Sequence, residues 1–170
     1  EIASCLVGSE MCIRDSYNTI DTSIFKPTPS DFRERYGLKD KFIVLGVANV
    51  WEDRKGLFDF YKLAEMLDDK YTIVLVGLSE KQIKDLPQNI KGIQRTNSPQ
   101  ELAAIYTAAD VFVNPTYEDN YPTVNLEAQA CGTPVITYDT GGCRETIHTD
   151  SAKVVEAGNV EGLYKEITIR

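Results

Sequence analysis

Short apolar runs alternate with amphipathic segments along most of this chain, and this alternation strongly constrains its fold. The apolar runs are continuous and rich in Val and Ile, as in strands that a parallel sheet buries on both faces. The segments between them carry apolar residues at helical spacing. The pattern predicts an α/β protein with a Rossmann-like open parallel sheet and helices on both faces. We expect strands at residues 41–48, 71–77, 90–95, 111–115, 134–138 and 154–156, and helices at residues 31–36, 56–67, 80–86, 98–109, 122–130 and 160–167.

The size and charge of the chain limit what it can be. Its 170 residues suffice for one well-buried domain and are too few for two ordinary ones. A net charge of -8 argues against nucleic acid as the main partner. A small anion can still bind, because a few local donors are enough to hold it. No apolar run approaches the roughly 20 residues that span a bilayer.

The cysteines give no sign of a metal or redox site. Cys5, Cys12, Cys131 and Cys143 form no CxxC pair, and the single His148 cannot complete a zinc set with them. We therefore expect no metal, and free thiols in a reducing cytosol.

Residues 4–16, with the sequence SCLVGSEMCIRDS, differ from the rest of the chain. They have neither a strand nor a helix period, and they resemble the translation of a sequencing-library adapter. The alternative is an ordinary irregular N-terminus. We expect residues 1–16 to be a non-native segment and residues 17–170 to form the domain. Residues 17–27 mix polar and apolar residues, are bounded by Pro and are typical of a linker or entry loop.

The loop at residues 49–56 follows the first predicted strand and carries two adjacent cations. Open parallel sheets bind ligands at the carboxyl ends of their strands, where loops lead into helices. Arg54 and Lys55 stand just before such a helix. Two cations and the N–H groups of a helix start favour a diphosphate site. From this loop alone, a solvated basic pair is an equally good interpretation.

The loop at residues 116–123 carries Glu118, Asp119 and Asn120 ahead of another predicted helix. Capping that helix would use Asp119 or Asn120 and would leave the other polar side chains without a structural role. Glu127, within the helix, can project back toward the same loop. A carboxylate there can accept two hydroxyl hydrogen bonds, as a ribose or sugar ring offers. The alternative for Glu127 is an acid on the helix surface.

A third loop, at residues 140–145, contains the adjacent glycines Gly141 and Gly142. Glycines allow a backbone to approach a ligand closely or to take a positive φ. Alone this signal is weak. It gains weight because the loop belongs to the same predicted sheet edge.

Residues 111–142 read VFVNPTYEDNYPTVNLEAQACGTPVITYDTGG, and this run resembles the core motif of family 4 of the retaining glycosyltransferases. That family shows a strand, an acid, a helix start, a second acid followed by Ala, then Gly-x-Pro-Val and a Gly-Gly loop. Seven residues separate its two acids, as they separate Asp119 from Glu127, whereas Glu118 is one position too far away. The resemblance covers most of residues 17–170. It implies the C-terminal, nucleotide-sugar-binding half of a GT-B enzyme, with the N-terminal acceptor domain missing.

The resemblance also implies an activity and a role for each candidate residue. The reaction transfers a sugar from a nucleoside diphosphate sugar to an acceptor hydroxyl with retention. We expect no cofactor, and no metal if Lys55, Arg54 and the helix N-terminus stabilise the leaving phosphates, since the chain has no Asp-x-Asp pair. Asp119 and Glu127 would be the catalytic pair, Asp119 near the donor sugar and Glu127 at the ribose. Lys55 matches the diphosphate-binding lysine. The partner arginine of the family falls at Val50, and Arg54 is the candidate substitute. The other expected donor-binding residues are Glu118, Asn120, Gly141 and Gly142, with the helix start at Tyr121, Pro122 and Thr123 expected to contact the distal phosphate through backbone N–H groups.

The expected partners are a nucleotide sugar and, through the missing domain, a glycan, a lipid-linked or another hydroxyl acceptor. We expect a cytoplasmic protein, peripheral to the inner face of the membrane when full length. Three alternatives remain open at this point. The first is a nucleotide-sugar epimerase or a phosphorylase of the same architecture. The second is a non-catalytic module that binds nucleotide sugars, and the third is a structural domain whose acids only cap helices.

Overall fold

The fold is an open parallel sheet with helices on both faces, seen in a computed structural model that describes residues 20–170. The strands are β1 (Phe42–Val47), β2 (Tyr71–Val76), β3 (Ile90–Ile93), β4 (Val111–Asn114), β5 (Val135–Tyr138) and β6 (Lys153–Val155). They pair in the order β3-β2-β1-β4-β5-β6, and every neighbouring pair is parallel. The predicted Rossmann-like sheet is therefore confirmed.

Six α-helices connect or flank these strands in the described part of the chain. They are α1 (Phe32–Arg35), α2 (Leu57–Met66), α3 (Glu80–Lys84), α4 (Pro99–Ala108), α5 (Thr123–Ala130) and α6 (Val160–Thr168). Short 3-10 turns lie at Asp53–Lys55 and Arg144–Thr146. Each predicted strand and helix has a counterpart whose bounds differ from the prediction by a few residues at most; most elements are slightly shorter, the last strand begins one residue earlier, and the last helix ends one residue later. Between residues 20 and 170, none of the helices has the length and apolar character that a membrane crossing requires.

The strand order reverses at the pair formed by β1 and β4. The chain adds β2 and β3 on one side of β1, then returns to add β4 on the other side. In register, Val44 of β1 pairs with Ile73 of β2 and with Val111 of β4. The loops after β1 and β4 therefore leave neighbouring strands toward opposite faces of the sheet. Such a reversal opens a crevice at the carboxyl ends of the strands.

Each face of the sheet carries its own hydrophobic cluster, which explains the continuous apolar runs. Residue Val44 faces α2 and α6, together with Phe60 and Leu163. Its neighbour Leu45 belongs to the opposite cluster, with α1, α4 and α5. Because both sides of β1 are buried, the strand has no polar face.

The predicted entry loop packs on the domain from the first described residue onward. Phe25 is 9% exposed, and its ring centroid lies 6.2 Å from that of Tyr106. The backbone N–H of Thr28 donates to Oγ1 of Thr107 at 2.9 Å. This part of the predicted linker is therefore integrated into the fold. The segment that we interpret as adapter-derived, with Cys5 and Cys12, lies outside the described residues.

Candidate functional site

A cleft of about 420 Å³ opens at the carboxyl edge of the sheet, between the loops that follow β1 and β4. Its volume lies in the usual range for sites that bind small molecules. The fold brings most of the predicted site residues into its wall, namely Arg54, Lys55, Asp119, Tyr121, Pro122, Thr123 and Glu127. The other predicted residues, Glu118, Asn120, Gly141 and Gly142, are not part of this wall.

Trp51 anchors the loop after β1. The side chain is 5% exposed, and its indole N–H donates to the carbonyl of Val76 at 2.9 Å. The side-chain amide of Gln82 donates to the carbonyl of Trp51 at 2.8 Å. These two hydrogen bonds anchor the loop to the end of β2 and to α3. They fix the backbone that carries Arg54 and Lys55.

Gly56 joins the first loop to the loop after β4. It has a φ of +84°, and a Cβ there would lie 2.2 Å from the carbonyl oxygen of Pro115. The backbone N–H of Tyr117 donates to the carbonyl of Arg54 at 2.7 Å. The Lys-Gly sequence is therefore a structural requirement as well as part of the motif, since only glycine allows the two loops to approach so closely.

Lys55 and Asp119 form an ion pair across the cleft wall. Nζ of Lys55 lies 3.0 Å from Oδ2 of Asp119, and the two side chains are 21% and 19% exposed. The residue predicted to hold phosphate and the acid predicted to lie near the donor sugar are therefore in direct contact. Any anion that reaches Lys55 must share it with Asp119 or displace the carboxylate.

Arg54 lies at the rim of the cleft. Its Nε is 3.0 Å from Oε2 of Glu52, and its Nη1 donates to the carbonyl of Glu118 at 3.2 Å. The two side chains are 46% and 52% exposed, so the pairing of Arg54 with Glu52 is weak and easily exchanged. Val50, at the position of the family's arginine, is 62% exposed in the same wall.

Glu127 is a half-buried acid of the cleft wall and not a solvated residue on the helix surface. Its Oε1 accepts a hydrogen bond of 2.7 Å from the hydroxyl of Tyr106, which is fully buried on α4. Burial raises the pKa of Glu127, and the hydrogen bond from Tyr106 opposes that rise. Sequence reasoning missed Tyr106, because its spacing in α4 is that of an ordinary core aromatic.

The start of α5 lies in the cleft wall without a side-chain cap. Pro122 is the capping residue, and no side chain accepts a hydrogen bond from the first turn. Neither of the two capping candidates, Asp119 and Asn120, caps this helix, and Asp119 pairs with Lys55 instead. Pro122 has no N–H to donate, which also corrects its expected role as a backbone donor. The N–H groups of Thr123 and Val124 have no hydrogen-bond partner among residues 20–170.

Neither Glu118 nor Asn120 lines the cleft, and Glu118 shapes the loop through its backbone. Both side chains are exposed. The carbonyl of Glu118 accepts from Arg54 and, at 3.1 Å, from the hydroxyl of Thr116. These contacts shape the loop, whereas a direct role of either side chain in binding stays a prediction.

The adjacent glycines lie behind the loop at residues 116–123, which we call the acidic loop. The N–H of Gly142 donates to the carbonyl of Asp119 at 3.2 Å. A Cβ at Gly141 would lie 1.8 Å from that same carbonyl oxygen, and a Cβ at Gly142 would lie 1.9 Å from the carbonyl oxygen of Asn120. The two glycines thus pack against the backbone of residues 119–120 and not against the cleft. They affect the cleft indirectly, by supporting Asp119.

A buried acid, Asp59 of α2, also holds this loop and was missed from the sequence. Its Oδ2 accepts hydrogen bonds of 2.6 Å from the hydroxyls of both Tyr117 and Tyr138. Burial first, and then Asp59, raises the pKa of each tyrosine, so both remain hydrogen-bond donors. Tyr117 directly precedes Glu118. One sequence signal could have revealed Asp59: it stands four residues before Leu63 and therefore on the buried face of the helix.

Comparison with known proteins identifies the family. The chain belongs to the glycosyl transferases group 1, whose family model matches residues 30–169. This assignment favours transfer over the epimerase alternative. The chain is 32% identical over 120 residues to the N,N'-diacetylbacillosaminyl-diphospho-undecaprenol alpha-1,3-N-acetylgalactosaminyltransferase of Campylobacter jejuni, an alignment that covers 68% of this chain and 31% of that protein. It is 30% identical over 157 residues to the alpha-galactosylglucosyldiacylglycerol synthase of Streptococcus pneumoniae, covering 84% of this chain and 39% of the synthase. The chain thus spans less than half the length of these relatives.

Solved structures agree on the fold. The Anabaena protein HepE in complex with UDP-glucose superposes with a TM-score of 0.78 at 21% identity, over 90% of this chain and 46% of HepE. The C-terminal domain of the group 1 glycosyl transferase LpcC from Francisella tularensis superposes with a TM-score of 0.70 at 21% identity, over 89% of this chain and 87% of that domain. These likenesses agree with the predicted GT-B architecture.

Proposed function

We propose that the chain is the donor-binding domain of a retaining glycosyltransferase, which transfers a sugar from a nucleoside diphosphate sugar to an acceptor hydroxyl. One observation carries the proposal. The cleft at the reversal of the strand order combines a lysine, an uncapped helix start and a half-buried glutamate in one wall. These groups match the phosphates and the ribose of one nucleotide. HepE, of similar fold, is described in complex with UDP-glucose.

The diphosphate is assigned to Lys55 and the start of α5. A helix N-terminus favours an anion through its N–H groups and its dipole, and a lysine adds a full charge. During transfer the leaving diphosphate gains negative charge, so groups that stabilise this charge lower the barrier. Arg54 supplies a second cation once it exchanges its exposed contact with Glu52. With these cations in place, the proposed reaction needs no metal.

Glu127 is assigned to the ribose hydroxyls. Oε1 is engaged by Tyr106, and Oε2 accepts no hydrogen bond from the described residues. A carboxylate that retains free acceptor sites can receive bonds from a ribose. Asp119 is assigned to the donor sugar, because its contact with Lys55 keeps it beside the proposed phosphate site.

The acceptor is assigned to a part of the enzyme that this chain does not contain. Two relatives, whose names contain a diphospho-undecaprenol and a diacylglycerol, are more than twice as long as the segments they share with it. We propose a glycan, lipid-linked or other hydroxyl acceptor, and a cytoplasmic enzyme that works at the inner face of the membrane.

Saturation-transfer NMR with UDP, GDP and ADP tests the proposal. The 170-residue chain should contact at least one of the three weakly and should transfer no sugar by itself, because it lacks an opposing acceptor wall. Absence of contact with all three nucleotides would overturn the proposal. A full-length protein that binds a nucleotide sugar without turnover would favour the non-catalytic module instead.

A further inference from the structure

The hydroxyl of Tyr106 is a polar group set inside the core of the domain. The residue is 0% exposed, and its ring packs edge-on against Phe112 and Phe25 at centroid distances of 5.5 and 6.2 Å. A phenylalanine would supply the same apolar contacts. The hydroxyl is therefore the only part of the side chain that packing does not explain.

That hydroxyl has one hydrogen-bond partner among the described residues, the Oε1 atom of Glu127 at 2.7 Å. The bond joins α4 to α5 across 21 positions of sequence. Burial is the main cause that raises the pKa of Tyr106 well above its usual value, so the phenol stays protonated and donates at any physiological pH. A fixed donor at this place restricts a side chain that otherwise has several rotamers.

We propose that Tyr106 is the positioning residue for Glu127: by holding one carboxylate oxygen, it presents the other to the ribose hydroxyls of the donor. This inference rests on the proposed function, since it assumes that Glu127 binds ribose. Tyr106 does not contact the nucleotide. Its effect is confined to the part of the ligand that Glu127 recognises.

The test compares ribonucleotides with nucleotides that lack the ribose hydroxyls. Dissociation constants of the 170-residue chain are measured by calorimetry for UDP, GDP and ADP and for their 2′,3′-dideoxy counterparts. The parent chain should bind the ribonucleotide form roughly ten-fold or more tightly, as expected for hydrogen bonds to a charged group. In Tyr106→Phe this preference should fall about 3- to 10-fold, while the affinity for the dideoxy form stays within about two-fold of the parent.

Tyr138→Phe is the matched control. Tyr138 is also fully buried, and its hydroxyl also donates to a carboxylate, that of Asp59 at 2.6 Å. This variant removes the same kind of bond from the cluster on the other face of the sheet, beneath the loop after β4, and leaves the contact between Tyr106 and Glu127 intact. It should keep the preference for ribonucleotides. An equal loss of preference in both variants would show a general effect of core damage and would overturn the inference.

Glu127→Asp tests the same inference without altering the core, because it keeps the charge and withdraws the carboxylate from Tyr106 by one methylene. Because the same change also withdraws the carboxylate from the ribose, its preference for ribonucleotides should fall at least as far as in Tyr106→Phe. If Glu127→Gln abolishes the preference but Tyr106→Phe and Glu127→Asp both retain it, the inference about Tyr106 is wrong and the proposed function stands. If Glu127→Gln retains the preference, the ribose assignment fails and the inference fails with it.

Discussion

The ammonium group of Lys55 lies 3.0 Å from the carboxylate of Asp119, and this ion pair links the loops after β1 and β4. Both residues belong to the proposed donor site. A bound phosphate and the carboxylate of Asp119 therefore compete for the ammonium group of Lys55. The pair is largely buried, so solvent screens it less than a typical surface contact. The strength of phosphate binding should therefore depend on how readily Asp119 releases Lys55.

Asp119→Asn should tighten the binding of nucleoside diphosphates and of inorganic pyrophosphate. The substitution removes the competing charge and leaves Lys55 free for phosphate, which should raise affinity roughly 2- to 5-fold, or up to about 1 kcal/mol. Calorimetry at low salt measures the change. Asp53→Asn is the control, because it removes an equal charge from the exposed turn that carries Lys55 without touching the ion pair. Weaker pyrophosphate binding by Asp119→Asn would contradict the competition.

Lys55→Ala and Glu127→Gln should weaken binding in different ways. Lys55→Ala removes a cation from the phosphate site, so its cost should shrink at high salt, where screening already weakens the contact. Glu127→Gln loses a charged acceptor at the ribose and should cost about 1.5–3 kcal/mol. Nucleosides without phosphates should respond only to Glu127→Gln. Unchanged affinity of both variants for UDP, GDP and ADP would contradict the assignment of both residues.

Nucleotide affinity should fall at mildly acidic pH through Glu127. Burial raises its pKa above the ordinary 4.5, so the carboxylate is lost at a higher pH than an exposed glutamate would lose it. Its neighbours do not titrate there: Tyr106 stays protonated, and burial raises the pKa of the Cys131 thiol to about 11. The charged groups elsewhere in the wall are Glu52, Arg54, Lys55 and Asp119.

Dissociation constants for UDP, GDP and ADP, measured between about pH 7 and about pH 5, show this loss of affinity. The terminal phosphate also takes up a proton in this range, and Glu127→Gln reports that contribution alone, so it is subtracted from the change in the parent. Folding stability should change in the opposite sense. The folded state binds the extra proton more readily than the unfolded chain, so this residue favours folding as pH falls through the same window. A pH dependence identical in the parent and in Glu127→Gln would contradict the shifted pKa.

Asp59→Asn should destabilise the domain and loosen the acidic loop. The neutral amide weakens the hydrogen bonds from Tyr117 and Tyr138, at a cost of about 1–3 kcal/mol. Thermal unfolding should show this as a lower Tm, by roughly 2–4 °C for each kcal/mol. Glu65→Gln, on the exposed side of the same helix, is the control and should leave Tm nearly unchanged. Equal Tm values for the two variants would show that Asp59 has no structural role.

Local pattern was sufficient to predict the sheet and the position of the candidate cleft. Strands buried on both faces leave continuous apolar runs, and parallel strands direct all their carboxyl ends to one edge, so the loops at residues 49–56 and 116–123 had to meet there. The ends of elements were harder to predict. The helix expected at residues 56–67 begins only at Leu57, because Gly56 takes a left-handed conformation to approach Pro115.

The contacts inside the site were not predictable from local pattern. Lys55 and Asp119 are 64 positions apart, and Asp59 and Tyr138 are 79 apart. Periodicity places each residue on an element and on a face, but it does not say which polar atoms meet. Tyr106 is the clearest case, since its ring follows the apolar period of α4 while its hydroxyl donates a hydrogen bond to Glu127 on α5.

The central claim is that this cleft binds a nucleoside diphosphate, and a site-resolved NMR titration tests it most directly. UDP, GDP and ADP are added to the ¹⁵N-labelled chain, and the shifts of its backbone amides are followed. The account predicts shifts at residues 48–56 and 119–127 for at least one nucleotide, with the shifts reduced in Lys55→Ala. It predicts no shifts around the second cavity at the amino edge of the sheet, near Leu38, Asp69 and Lys91. Shifts confined to that opposite edge, or none with any of the three nucleotides, would contradict the claim.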